Sequence, residues 1–137
     1  MIDIKMSNKI EIIKRKKLID DRGWFLKILT GKENGLPNHS GEIYVVCGSP
    51  NQTRGGHYHL KAKEWFTLIS GKAVLNLFDI NTLEKDSIVI DSEAPITIVI
   101  PAMIAHSFAN IANNEFVLIA YTDILYNPDD TVNFNIE

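Results

Sequence analysis

Cysteine is nearly missing from this chain. Cys47 stands alone among 137 residues, so no intramolecular disulfide can form, and a reducing, cytoplasmic compartment is expected. It sits in the apolar run IYVVCG, where a buried and inert thiol is the expectation. Positive charge is also scarce. Fourteen Lys and Arg against seventeen Asp and Glu leave a formal net charge of −3, which excludes the basic face that a nucleic acid requires. The one basic run, KRKK at residues 14–17, reads as the solvated edge of a strand. No apolar stretch approaches the ~18 residues of a membrane span. The N-terminal MIDIKMSNKIEII alternates charge with hydrophobicity and lacks the apolar centre of a secretory signal.

Helical periodicity is missing as well. The best helix candidate, GKENG, is short and has glycine at both ends. What the chain offers instead is alternation. KIEIIKRKKLID, WFLKIL, EIYVVCG, HYHL, EWFTLIS, AVLNLFDI, SIVID, ITIVI and FVLIAYTDI are rich in Val, Ile, Thr and aromatics. Turn-forming residues separate them, with Gly71–Lys72 as a tight reversal. Short strands at a spacing of about 8–12 residues predict a sandwich or small barrel. With no repeat and no linker, residues 1–137 are read as one all-β domain, a double-sheeted barrel of jelly-roll type. The last residues, NPDDTVNFNIE, are expected to leave the sheet and run over a surface. The alternating KIEIIK strand is the expected edge for a homodimer.

Two of the four histidines fall in RGGHYHLKAKEWFTLISG. Residues i and i+2 of a strand share a face, so His57 and His59 project together with Tyr58 opposite. Glu64 opens the next strand and can fold back beside them. His106 follows Pro101, a residue that cannot sit inside a central strand. A histidine is the side chain that titrates near neutrality, and a neighbouring carboxylate fixes its tautomer and raises its basicity.

The spacing H-x-H-x4-E-x6-G is met by His57, His59, Glu64 and Gly71. The spacing P-x4-H-x3-N is met by Pro101, His106 and Asn110. Together they resemble the two motifs of the cupin superfamily, with Met103 where the second motif usually has glycine. The resemblance implies the double-stranded β-helix, or jelly-roll barrel. RGGHYH and DDRGWF further resemble the nucleotide-sugar branch of that superfamily, which acts on 4-keto sugars through an enediolate.

That resemblance implies a cytoplasmic isomerase of a dTDP-linked 4-keto-6-deoxyhexose, serving deoxyamino-sugar biosynthesis for a surface polysaccharide such as lipopolysaccharide or capsule. His59 would shuttle the proton in a 3,4-ketoisomerase, with His57 and Tyr44 beside it and Glu64 orienting the imidazole. Tyr44 sits ten residues before the R-G, where the ketoisomerases carry a tyrosine. The related 3- and 3,5-epimerases place a tyrosine three residues before a T-D pair; here Ile119 fills that position, with Tyr121 the nearest phenol, so an epimerase is the alternative. A non-catalytic sugar-binding cupin and a metal-dependent cupin are two others. Arg22 and Arg54 suit a diphosphate because a planar guanidinium meets phosphate oxygens bidentately. Lys27 and Lys72 add point charges, Trp24 and Tyr58 add stacking surfaces, and His106 completes the substrate-binding set. No cofactor is expected, because enolisation can run on imidazole alone. If a divalent metal is bound, His57, His59, Glu64 and His106 form its three-nitrogen, one-oxygen ligand set.

Overall fold

A computed structural model describes residues 5–6, 8–39 and 41–136 of the chain. Residues 1–4 of the N-terminal segment, together with Ser7, Ser40 and Glu137, lie outside the described residues. The alternating runs become strands β1 (Glu11–Lys14), β2 (Lys17–Asp20), β3 (Gly23–Leu26), β4 (Glu42–Gly48), β5 (Thr53–His59) and β6 (Glu64–Ser70). After these come β7 (Lys72–Asp79), β8 (Lys85–Asp91), β9 (Ile96–Ile100), β10 (Ile104–Ala109), β11 (Phe116–Thr122) and β12 (Thr131–Asn133).

Two five-stranded antiparallel sheets form the barrel. One runs β1-β9-β6-β11-β4 and the other β12-β5-β10-β7-β8. Period-two patterning sends one face of each inward, as β7 shows with Ala73, Leu75 and Leu77 buried and the residues between them half-buried. Phe66 of the first sheet packs on Phe108 of the second, ring centroids 5.0 Å apart, so the two inner faces share one core. Among the described residues the only helical turn is a 3₁₀ turn at Pro128–Asp130. No helix is long and apolar enough to cross a membrane.

The outer face of the first sheet is covered at β9 by the segment that carries Ile28 and Glu33, in keeping with the burial of β9 on both faces. Arg15 fastens this cover. Its guanidinium donates to Thr97 Oγ1 (2.9 Å) and the Ile28 carbonyl (2.7 Å), and pairs with Glu33 (2.9 Å). The KRKK run is therefore not uniformly solvated: Lys14 and Lys16 are exposed, but the Arg15 side chain is 9% exposed and belongs to this staple.

Two further expectations are corrected. Cys47 is exposed, because β4 is an uncovered edge strand whose alternation turns Ile43, Val45 and Cys47 outward and Tyr44 and Val46 inward. The C-terminal segment does not leave the sheet. After its 3₁₀ turn, Thr131, Val132 and Asn133 pair with His59, Tyr58 and His57 of β5. Thr-Val-Asn-Phe is itself an alternating run, and it satisfies an edge that would otherwise be open.

Strands β2 and β3 form a separate hairpin, paired only with each other, on which Leu18, Ile19, Trp24 and Phe25 are all more than half exposed.

Glu33 links stability to acid. Burial alone would raise its pKa, but the Thr30 backbone N–H, Arg15 and the Thr30 hydroxyl outweigh it and hold the carboxyl at about 2, against 4.5 ordinarily. A folded-state value below the unfolded one gives stability that is complete above pH 4.5 and is lost as pH falls toward 2. Urea midpoints measured across that window should fall less steeply for Glu33→Gln than for the wild-type chain.

Candidate active site

The site is made where the two sheets face each other at one end of the barrel. Strand β5 supplies His57 and His59, and β10 supplies His106 directly opposite His57 in the ladder. From the other sheet, β6 contributes Glu64 and β4 contributes Tyr44. These five side chains converge, and all but His106 line a cavity of about 270 Å³. The ring centroids of His57 lie 5.1 Å from His59 and 5.0 Å from His106.

A β-bulge makes this convergence. The β5–β10 register shifts between His106 and Ser107, and Gly55 and Gly56 take φ of +88° and +81°. Gly55 has a second reason to be glycine: a Cβ there would stand 3.0 Å from the His106 carbonyl oxygen. The other motif residues hold the frame. Asn110 is buried and donates to the Gly48 and Asn114 carbonyls (2.9 and 2.8 Å). Gly71 turns the chain at φ +91°. Met103, standing where the motif usually has glycine, keeps the left-handed conformation at φ +68°, and its N–H donates to the His59 carbonyl (2.8 Å).

Glu64 is 2% exposed and is the electrostatic centre. Its Oε1 lies 2.8 Å from His59 Nε2 and 3.3 Å from His106 Nε2, while Tyr44 donates to its Oε2 at 2.5 Å. Burial alone would raise its pKa, but the two imidazoles hold its carboxyl well below the usual carboxylate range. Burial and then the Glu64 charge push the Tyr44 phenol far up, so Tyr44 remains a proton-bearing donor. The histidines diverge. Burial, then His106 and His59, lower His57 to about 4. His59 is also disfavoured as a cation by burial, but Glu64 and Asp130 outweigh that and raise it. His57 is therefore a neutral imidazole at pH 7.

The carboxylate and imidazoles are close without being aligned. His59 Nε2, His106 Nε2 and Glu64 Oε1 are buried and make no hydrogen bond of acceptable angle. Meanwhile His106 Nδ1 lies 3.1 Å from the Ile104 carbonyl, and His59 Nδ1 lies 3.3 Å from Thr131 Oγ1, so the remote nitrogens are engaged. One ligand atom from each of His57, His59, Glu64 and His106 lies within 4.8 Å of the other three. Inward nitrogens and oxygen aimed at a shared point, with outer nitrogens anchored, fit a divalent metal of the zinc or iron type.

Of the residues expected to bind substrate, His106 is in the cluster and the rest stand outside the cavity. Arg22 and Trp24 are on the β2–β3 hairpin; Arg22 is bound to Asp20 at 2.6 Å, and Lys17 Nζ lies 4.7 Å over the Trp24 ring. Lys27 is exposed near the hairpin base, and Lys72 pairs with Asp91 at 3.7 Å. Tyr58 faces away, as alternation requires, against Phe134. Arg54 is exposed on β5. Tyr121, the phenol nearest the epimerase position, points outward onto Trp65 (centroids 5.6 Å) and accepts from the Gly41 N–H, and Ile119 shares its face. The sequence reading missed Glu42, Tyr126 and Asp130, which line the cavity. The legible signal was Asn-Pro-Asp-Asp, a capped turn that brings the C-terminal segment back to β5.

The bulge can be tested by itself. Gly55→Ala forces an L-residue into a left-handed conformation and presses on the His106 carbonyl, so a loss of about 1–3 kcal/mol is expected in denaturant titration. A Gly56→Ala variant, whose Cβ would meet nothing nearer than the Phe134 carbonyl at 3.4 Å, should lose less.

Comparison with known proteins agrees with this frame. Residues 18–134 match the family model described as the polysaccharide biosynthesis C-terminal domain. The spore coat polysaccharide biosynthesis protein SpsL of Bacillus subtilis (strain 168) is 29% identical over 128 residues, covering 88% of this chain and 84% of its own. A Pseudomonas aeruginosa UDP-2-acetamido-2,6-beta-L-arabino-hexul-4-ose reductase is 29% identical over 114 residues; the match covers 80% of this chain but 29% of that protein. Among solved structures, a dTDP sugar isomerase from Desulfovibrio desulfuricans G20 superposes with a TM-score of 0.82 at 15% identity, covering 90% of this chain and 82% of that one, which establishes the cupin fold. The family model spans all five converging side chains, and the chain belongs to the polysaccharide biosynthesis C-terminal domain family.

Proposed function

We propose that this chain isomerises a nucleotide-linked 4-keto-6-deoxy sugar through an enediolate, in the making of a surface polysaccharide. The observation that carries the reading is the convergence of His57, His59, Glu64 and His106, whose ligand atoms lie within 4.8 Å of one another, at a cavity that His57, His59 and Glu64 line. The cavity volume suits a hexose ring and leaves no room for a nucleotide. Its lining includes Glu42, Glu64 and Asp130 and no Lys or Arg, so the diphosphate belongs outside, where Arg54 is exposed on β5 and Arg22 would exchange its Asp20 partner for a phosphate.

We read the cluster of His59, Glu64 and His106 as a divalent-metal site, with His57 acting beside it as the base. When bound, such a metal supplies Lewis-acid polarisation of the keto oxygen. His57, uncharged at neutral pH, takes the proton from the carbon next to the ketone, and the bond electrons form the enediolate double bond. This moves proton transfer from His59, where the family resemblance put it, to His57. Tyr44 donates its one hydroxyl proton to Glu64 Oε2 and so holds that carboxylate in place beside the histidines.

A 3,4-ketoisomerase is the favoured reaction, since Tyr44 is in the site while Ile119 and Tyr121 face outward. For that product the enediolate is reprotonated at C4 as the C3 hydroxyl becomes a ketone. A 3-epimerase is the second reading. Tyr126 carries it, because that phenol lines the same cavity from a different segment and could return the proton to C3 from the opposite face. The dTDP-linked substrate is the expected one. A homodimer fits the exposed apolar hairpin and the open edges of β1 and β4, the latter showing Ile43 and Val45.

Histidine variants separate the roles. His57→Asn should lower turnover at least ~10²-fold, the low end of general acid–base contributions, while metal content stays at the wild-type level. His59→Asn should lower turnover and metal content together. If His59→Asn lowers turnover without touching metal content, proton transfer returns to His59; near-wild-type rates in both variants would remove the pair from catalysis. Light scattering at micromolar concentration should give twice the chain mass.

A further inference from the structure

We infer that Asp130, a residue of the C-terminal turn, is a positioning residue that holds His59 in the orientation and tautomer needed for Nε2 to act as a metal ligand. The inference rests on the metal reading of the His59–Glu64–His106 cluster. Its own basis is separate: what stands behind the far side of the His59 ring.

Asp130 is a carboxylate that is 6% exposed in a chain with few buried charges. Its placement has a cause. Asn127 caps the 3₁₀ turn by accepting from the Asp129 N–H, and the Leu60 N–H donates to the Asp130 carbonyl at 3.0 Å. The Asp130 side chain then takes the next two backbone donors of the β5–β6 turn, Lys61 N–H on Oδ1 (2.8 Å) and Ala62 N–H on Oδ2 (3.2 Å). Two successive donors, Lys61 and Ala62, thus hold this carboxylate, while Leu60 holds the Asp130 backbone carbonyl.

The fixed Oδ2 lies 3.7 Å from His59 Nδ1, and Thr131 Oγ1 lies 3.3 Å from the same nitrogen. Thr131 Oγ1 can accept from an Nδ1–H, and the Asp130 charge at 3.7 Å favours keeping the proton on that nitrogen, which leaves the Nε2 lone pair for the cluster. His106 is arranged in the same way with a different acceptor, the Ile104 carbonyl at 3.1 Å from its Nδ1. The two buried imidazoles of the cluster therefore each have an acceptor behind them. Only His59 has a carboxylate, which makes that ring the more basic ligand. Asp130 and Thr131 belong to a segment that pairs with β5 at His59, so the C-terminal strand and the ligand ring are set by one register.

The test is zinc affinity of the purified full chain, measured by competition with a chromophoric chelator, together with the cobalt(II) visible spectrum and the thermal midpoint of the metal-free protein. Asp130→Asn keeps an acceptor for the turn but removes the charge behind His59, and Thr131→Val removes the hydroxyl while leaving both carboxylate caps. Zinc binding should weaken by about 10- to 100-fold in Asp130→Asn and by less in Thr131→Val, with an altered cobalt spectrum and metal-free midpoints close to wild type. Wild-type zinc affinity in both variants would overturn the inference while leaving the metal reading standing. A loss of affinity that only parallels a loss of metal-free stability would assign Asp130 to the turn alone and overturn it too. If the wild-type chain binds zinc no better than His59→Ala does, the metal reading fails and takes this inference with it.

Discussion

A carboxylate buried inside an apolar barrel governs this structure. Withdrawing a carboxylate from water costs several kcal/mol unless it is paired and hydrogen-bonded. Glu64 meets part of that demand, with the Tyr44 phenol hydrogen-bonded to one oxygen and two imidazole nitrogens close to the other but out of line. Those partners come from three other strands on both sheets, so pairing one charge requires the barrel to close in a single register. A slip of one residue in β6 would turn Glu64 outward and bring Trp65 into the cluster.

The arrangement also explains why His57 and His59 differ in proton affinity. His59 sees carboxylates on both sides and is drawn toward the cation, whereas His57 sees burial and two other imidazoles and stays neutral. Identical side chains two residues apart are thereby given opposite shifts by their surroundings. The contacts to Glu64 are short but poorly angled, which is costly for a hydrogen-bonded cluster and natural for donors aimed at a common centre.

Much of this could be read from residues alone. The strand content, the turn at Gly71 and the shared face of His57 and His59 follow from alternation and local backbone chemistry, and the convergence of His57, His59, Glu64 and His106 followed from the motif spacings. Longer-range placement did not. Arg15 looked like one more surface cation, because nothing local shows that Ile28 and Glu33 return to meet it. Cys47 looked buried because an edge strand and a central strand carry the same apolar pattern. Asp130 was hidden for a third reason: its role depends on pairing between β12 and β5 across about 70 residues of chain, which no local periodicity encodes.

The most direct measurement is proton NMR of the protein mixed in deuterium oxide with a nucleotide-linked 4-keto-6-deoxyhexose. The proposed chemistry predicts solvent deuterium on the sugar ring at a rate set by enzyme concentration. The label would appear at C4 of a new 3-keto sugar for the ketoisomerase, or at C3 of an inverted 4-keto sugar for the epimerase. A folded, metal-supplemented protein that leaves every ring proton unexchanged would contradict the enolisation account.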